Sequence, residues 1–196
     1  MREPGRNGRR ASPRDPPVSH VNRLTLVSHA MTDAMAVGRF PGDEPLNDIG
    51  RRQAETAGRL GIGRVTQLAA PERRAGQTAE LLGLQAATDP RLADLDCGRW
   101  RGTTLENIDH HDLQTWLTDP ARAPHGGESV VDLIGRIAGW LQSLTADTVA
   151  VTHPAVIRAA ILVALDGPPK SFWRIDIAPV GRTVMHLRKH RWTLRL

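Results

Sequence analysis

Leu24-Thr25-Leu26-Val27-Ser28-His29-Ala30-Met31-Thr32 is the stretch whose reading decides the fold. Apolar and branched residues over 23–28 run into Ser28-His29 and then into small residues. That pattern predicts a buried strand ending in a turn, with a histidine at its C-terminal edge. In open α/β sheets that edge is where ligands bind. Thr148-Val149-Ala150-Val151-Thr152-His153, followed by Pro154, ends the same way much later in the chain. The fold must therefore bring together two strands that each deliver a histidine.

Working outward, residues 33–49 hold Gly38, Pro41, Gly42 and Pro45 and read as mostly loop, rimming the His29 edge. Asn47 or Asp48 caps a helix over about 49–60, which Gly61 and Gly63 end. Val65 to Ala70 reads as a second strand, and Pro71 leads into a helix from Arg73 to Leu82 closed by Gly83. Residues 84–103 are irregular with short extended pieces, 104–118 are weakly helical, and Pro120 to Gly127 form a long loop. Ser129 caps an amphipathic helix over Val130 to Leu144, whose apolar positions Val130, Leu133, Ile134, Ile137, Trp140, Leu141 and Leu144 share one face. Strand 148–152 leads through His153 into helix 154–165. The end reads as a β-meander, 172–178, 182–188 and 191–196, with a Lys189-His190 turn. Strands alternating with helices imply an α/β/α sandwich around a mostly parallel sheet.

The 196 residues suffice for one well-buried core. Residues 1–22, rich in Pro, Gly and Arg without apolar periodicity, read as a disordered basic tail, leaving 23–196 as the folded domain. The tail holds Arg2, Arg6, Arg9, Arg10 and Arg14 against Glu3 and Asp15, so three of the five net positive charges lie there. The body is only mildly basic and does not demand a nucleic-acid surface. No run reaches the length of a membrane span, and no apolar stretch follows the N-terminal arginines as in a secretory signal. A single cysteine, Cys97, allows no intrachain disulfide. These features point to a cytoplasmic protein.

Six segments, in order, resemble the histidine phosphatase superfamily, also called phosphoglycerate mutase-like, from about Leu24 to the C-terminus. Leu26-Val27-Ser28-His29-Ala30-Met31-Thr32 is similar to the family's L-V-R-H-G-x-T, and Pro45-Leu46-Asn47-Asp48-Ile49-Gly50-Arg51-Arg52-Gln53-Ala54 to P-L-T-x-x-G-x-x-Q-A. Pro71-Glu72-Arg73-Arg74-Ala75-Gly76-Gln77-Thr78-Ala79 is similar to S-x-x-x-R-A-x-Q-T-A. Arg91 to Gly102 resembles R-L-x-E-x-D-F-G-x-W-E-G, and Gly126-Gly127-Glu128-Ser129 and Val151 to Arg158 complete the set. The resemblance implies a phosphoglycerate mutase-like fold and a phosphomonoesterase without metal or other cofactor, acting on a small phosphorylated metabolite. It makes His29 the nucleophile that forms a phosphohistidine, Arg74 and His153 the phosphate binders, with His153 also counted among the catalytic residues, and Asp94 the acid for the leaving oxygen. The short connection between Trp100 and His125 leaves little room for a mutase cap.

The departures fall on the reacting centre. Ser28 stands at the position of the family's first phosphate-binding arginine, which removes a cation, although its hydroxyl is still a candidate phosphate ligand. A hydrogen bond to a charged group contributes about 1.5–3 kcal/mol, and loss of one transition-state donor costs about a hundredfold to a thousandfold in rate. Arg39 and Arg158 are candidate compensating cations, and Arg99 and Arg101 flank Trp100. A second reading follows from Ser28: a catalytically impaired relative that binds an anionic ligand in a regulatory role. His110-His111 reads as solvated surface rather than a metal site, His125 as a residue able to rim the pocket, Cys97 as a small buried filler, and the tryptophans as core and loop anchors.

Overall fold

The computed structural model describes residues 22–61, 63–189 and 191–195. The expected tail lies outside them except for Asn22, which opens the first strand instead, and so does His190 of the expected Lys189-His190 turn. Among the described residues no helix is long and apolar enough to cross a membrane.

The sheet has six strands: β1 (Asn22–Ser28), β2 (Thr66–Ala69), β3 (Ala87–Thr88), β4 (Thr148–Thr152), β5 (Arg182–Arg188) and β6 (Arg191–Arg195). Their order is β3-β2-β4-β1-β5-β6. The first four run parallel, while β5 lies antiparallel to β1 and β6 antiparallel to β5. The helices are α1 (Asp33–Ala36), α2 (Asp48–Ala57), α3 (Arg73–Leu81), α4 (His110–Thr118), α5 (Val130–Gln142) and α6 (Pro154–Ala164). Helix α2 packs on α3, and α5 packs on α6. Right-handed crossovers put these two pairs on opposite faces, which explains why β1 and β4 read as nearly unbroken apolar runs. All five residues of β4 are buried.

The chain steps from β1 to β2 and β3 in one direction and returns to β4 beside β1. Connections leave β1 and β4 in opposite directions, so a crevice opens between their C-terminal ends. The register pairs Ser28 with Thr152, which sets His29 opposite His153.

Several boundaries differ from expectation. Asn47 is the cap of α2, its side chain accepting from Gly50 N at 2.9 Å. The helix stops at Ala57, three residues before the expected Leu60, because Gly58 adopts φ +68°. The loop 33–49 contains the one-turn α1, capped by Thr32. The first strand of the expected meander, 172–178, is not formed. Pro168-Pro169 instead opens a 3₁₀ helix over Pro169–Arg174 that buries Phe172 completely, and both edges of β5, the strand that 172–178 would pair with in a meander, are taken by β1 and β6.

Candidate active site

His29 leaves the end of β1 and is held from three sides. Its own N–H donates to Thr152 O at 2.9 Å. Ala30 N donates to Thr78 Oγ1 of α3 at 3.0 Å, and Met31 N to Gln53 Oε1 of α2 at 3.2 Å. Gln77 Oε1 accepts from Leu46 N at 2.9 Å and fixes the segment entering α2. The glutamines and threonine of the second and third motifs are therefore clamps on the histidine loop. Gly50 belongs to the same clamp. A Cβ there would collide with the Met31 carbonyl oxygen and stand 2.8 Å from Met31 N, so α2 can approach this loop only without a side chain.

The His29 Nδ1 lies 2.8 Å from Ala30 O. A carbonyl only accepts, so Nδ1 carries the proton and Nε2 keeps its lone pair. Burial, then the charges of His153 and Arg74, push the imidazole down to about 3. The ring is thus neutral near pH 7, with one nitrogen free to attack.

Arg74 is the second residue of α3 and is 1 % exposed. One terminal nitrogen donates to Gly42 O at 2.7 Å and the other to Asp94 Oδ2 at 2.8 Å. Its buried Nε has no partner among the described residues. His153, wholly buried, stands with its ring centroid 5.1 Å from that of His29. Its Nε2 hydrogen-bonds Glu72 Oε2 at 2.7 Å. Its Nδ1, 3.4 Å from Asp94 Oδ2, is also without a hydrogen-bond partner. Two buried nitrogens are thus uncommitted in the group around His29, and an unpaired buried polar group is costly unless something fills it.

Glu72 was not singled out in the sequence. Besides holding His153, it accepts from Asp94 N at 3.0 Å. Arg136 of α5 grips the stretch before Asp94, donating to Arg91 O at 2.7 Å and Ala93 O at 3.0 Å while both ends of its fork meet Glu128. Burial raises the Asp94 carboxyl, but the charges of His153 and Arg74 outweigh that and hold it below the usual carboxylate range. Burial likewise raises Glu72, and its hydrogen bond and charge contact with His153 more than offset the rise.

A cavity of about 170 Å³ has His29, Arg74 and Asp94 in its lining, together with Glu44, Arg39 and Arg158. Ser28 does not join them. It is fully buried, and its hydroxyl donates to His29 O at 3.4 Å, so the structure does not bring this expected phosphate ligand to the cavity. Arg39 is exposed at the rim. Arg158 is partly committed: its Nε donates to Ile175 O at 2.7 Å, and its guanidinium lies 5.7 Å from the rings of both Phe172 and Trp173.

His110 and His111 are exposed on α4, and no cluster able to hold a metal ion occurs among the described residues. His125 is buried against Trp100, 5.0 Å between centroids, and accepts from Gly127 N, away from the cavity lining. Cys97 is buried, and burial pushes its thiol up to about 12. Trp116 and Trp173, read as anchors, also line the cavity.

The histidine phosphatase superfamily (branch 1) matches this chain over residues 24–196. Phosphoserine phosphatase 1 of Hydrogenobacter thermophilus is 25 % identical over 186 residues, covering 86 % of this chain and 88 % of that protein. Glucosyl-3-phosphoglycerate phosphatase of Mycolicibacterium vanbaalenii is 32 % identical over 178 residues, covering 79 % of each. Among solved structures, the mycobacterial glucosyl-3-phosphoglycerate phosphatase in complex with VO3 superimposes with a TM-score of 0.75 at 28 % identity, over 89 % of this chain and 98 % of that one.

Proposed function

The chain belongs to the histidine phosphatase superfamily and is a phosphoric monoester hydrolase, and we propose that it works through a phosphohistidine on His29 with a small phosphorylated metabolite as substrate. The observation that carries this reading is the fixed Nδ1–H tautomer of a buried, neutral His29 beside the uncommitted nitrogens of Arg74 and His153.

The phosphoryl group carries its negative charge over three oxygens, so catalysis is mainly positioning and electrostatic stabilisation. Arg74 Nε and His153 Nδ1 donate to those oxygens. His29 Nε2 attacks phosphorus, an Nε2–P bond forms, and the P–O ester bond breaks with its electron pair leaving on the alcohol oxygen. Asp94 supplies the proton that oxygen needs. In the free protein Asp94 is an anion beside Arg74. The arriving phosphoryl dianion cancels the charge that holds Asp94 ionised, so the carboxyl takes up a proton with the substrate and becomes an acid where one is required. Water then attacks the phosphohistidine, giving its proton to the Asp94 carboxylate, and inorganic phosphate leaves with His29 restored. No step calls on a metal, because the positive charge comes from Arg74 and His153.

The test is hydrolysis of 4-nitrophenyl phosphate without added metal, run beside His29→Ala, with rapid acid-free quenching and mass spectrometry for a phosphorylated His29 peptide. Turnover and a phosphopeptide, both lost in the variant, are expected. Equal rates in both proteins would remove His29 from the chemistry. No turnover in either would favour the anion-binding reading that Ser28 suggests.

A further inference from the structure

The walls above the reacting groups differ in character from the floor. Met35 follows from α1, Phe40 from the loop after it, Trp116 from α4, Leu95 from the stretch after Asp94, and Trp173 from the 3₁₀ helix before β5. Three of these form one aromatic cluster, with ring planes inclined by 64° between Phe40 and Trp116 and by 56° between Trp116 and Trp173. Phe40 and Trp116 have centroids 5.5 Å apart, and Trp116 and Trp173 only 4.3 Å apart. Helix α4 sits in sequence about forty residues after Arg74, so this surface is assembled by the fold from distant segments and serves no clamp on the catalytic loop.

An alcohol bearing several hydroxyls needs matching donors and acceptors on the wall it meets, and an unmatched polar group loses affinity steeply. The five residues just named carry indole N–H groups as their polar atoms, while Thr32, Arg39, Glu44 and Arg158 are among those lining the rest of the cavity. Trp116 Nε1 is buried without a partner among the described residues, so it is one donor that this wall leaves open to a ligand. Arg158 turns its guanidinium onto Phe172 and Trp173. Size points the same way. A volume of about 170 Å³ lies below the roughly 300–1,000 Å³ of sites that take drug-sized ligands, and the phosphoryl group must share it.

Building on the phosphatase reading above, we propose that the leaving alcohol of the substrate carries a single flat apolar ring, which stacks on Phe40, Trp116 and Trp173 while its phosphoryl group sits on His29 and Arg74. Aromatic surfaces stack on rings in offset or edge-on arrangements and gain beyond the area they bury. A ring at this place also excludes water from the ester oxygen that Asp94 must protonate. The competing ligand chemistry is a small carboxylate, which Arg39 and Arg158 would receive from the same wall.

Binding and turnover test this separately. The binding probes are benzylphosphonate and 2-carboxyethylphosphonate, which cannot be hydrolysed, titrated against the full chain by isothermal calorimetry. Benzylphosphonate is expected to bind at least about tenfold more tightly, the discrimination one well-filled apolar group provides. Equal affinities, or a preference for the carboxylate, would overturn the proposal whether or not the protein turns over any ester. The turnover probes are benzyl phosphate, phosphoserine and glycerol 3-phosphate. All three release alkyl alcohols, so a preference reports the wall rather than the acidity of an aryl leaving group. Benzyl phosphate is expected to have the highest kcat/KM, and a higher value for either polar ester would count against the ring. Tight benzylphosphonate binding without any turnover would uphold the ring site and overturn the phosphatase reading. Trp173→Ala is expected to bring the benzyl-to-carboxyethyl affinity ratio toward one. Should that variant fold poorly, Trp173→Leu keeps apolar volume and removes the stacking face. A ratio unchanged in a folded variant would refute the wall's role.

Discussion

Lowering the pH from 7 to 5 is expected to cost the fold about 2 kcal/mol through His29 alone. In the unfolded chain the imidazole titrates near 6.5, whereas in the fold it is pushed down to about 3, by burial first and then by His153 and Arg74. The residue is only 3 % exposed, so solvent does little to screen the effect. Between those two values the unfolded chain binds a proton that the folded chain does not. Stability therefore rises with pH there, by about 1.4 kcal/mol per unit where the difference is complete. The contribution is full above the unfolded value and drains away as pH falls toward the folded one. Integrating from 7 to 5 gives the figure above, and it stays the same for any folded value below about 4. His125 and His186 are also lowered, mainly by burial, and act in the same sense. Glu72, Asp89 and Asp94 have depressed values whose contribution is lost at still lower pH. The comparison is therefore with His29→Gln, which leaves those groups in place. Urea unfolding followed by tryptophan fluorescence at pH 7, 6 and 5 measures both proteins. Wild type is expected to lose about 2 kcal/mol more than the variant across that span. The same loss in both would mean that His29 takes up its proton without unfolding, and the buried neutral nucleophile would have to be abandoned.

Gly50→Ala places a methyl against the Met31 carbonyl and amide. Overpacking of this kind costs about 1–3 kcal/mol, a Tm fall of roughly 2–12 °C in calorimetry for a chain of this size; a wild-type Tm would show that α2 does not approach the loop so closely. Glu72→Gln keeps the side chain's shape and removes its charge from the 2.7 Å contact with His153. A hydrogen bond to a charged group carries about 1.5–3 kcal/mol, so kcat/KM is expected to fall roughly tenfold to a hundredfold, and an unchanged value would show that His153 is positioned without it.

What was legible in the sequence was the part carried by period and punctuation. Two buried strands ending in histidine, the Asn47 and Ser129 caps and the motif order all depend on neighbours a few residues apart. The alternation of Trp173, Ile175 and Ile177 reads as a strand because periodicity cannot report which sheet edges are already taken. Glu72 was passed over for a related reason. It sits between Pro71 and Arg73 as an ordinary residue at a helix start, and only the strand order β2-β4-β1 carries its carboxylate to His153. The topology itself would have found it, since the turn after β2 lies at the same sheet edge as His29 and His153. The aromatic wall was hidden for the same cause: Trp116 and Trp173 are 57 positions apart in the chain, yet their rings are 4.3 Å apart.

The same geometry gives the departure at Ser28 a physical reading. A serine there withdraws from the cavity, leaving Arg74 as the buried arginine on its floor, with Glu44, Glu72 and Asp94 around Arg74 and His153. Three carboxylates around Arg74 and His153 would weaken their hold on a phosphoryl dianion if all stayed ionised. The balance shifts if each carboxylate has a task other than facing the phosphate. Glu72 is spent on Nε2 of His153, which leaves Nδ1 on the side of Asp94, 3.4 Å from its Oδ2. Glu44 accepts from Thr32 Oγ1 at 3.3 Å and from Gly42 N at 2.8 Å, and stands 4.0 Å from Arg74. That leaves Asp94 as the carboxylate whose charge must be neutralised when substrate arrives, and it is also the group the proposed chemistry requires in its acid form. In the proposed mechanism, the crowding of carboxylates around Arg74 and the identity of the acid are thus one electrostatic problem, with proton uptake on substrate binding as its solution.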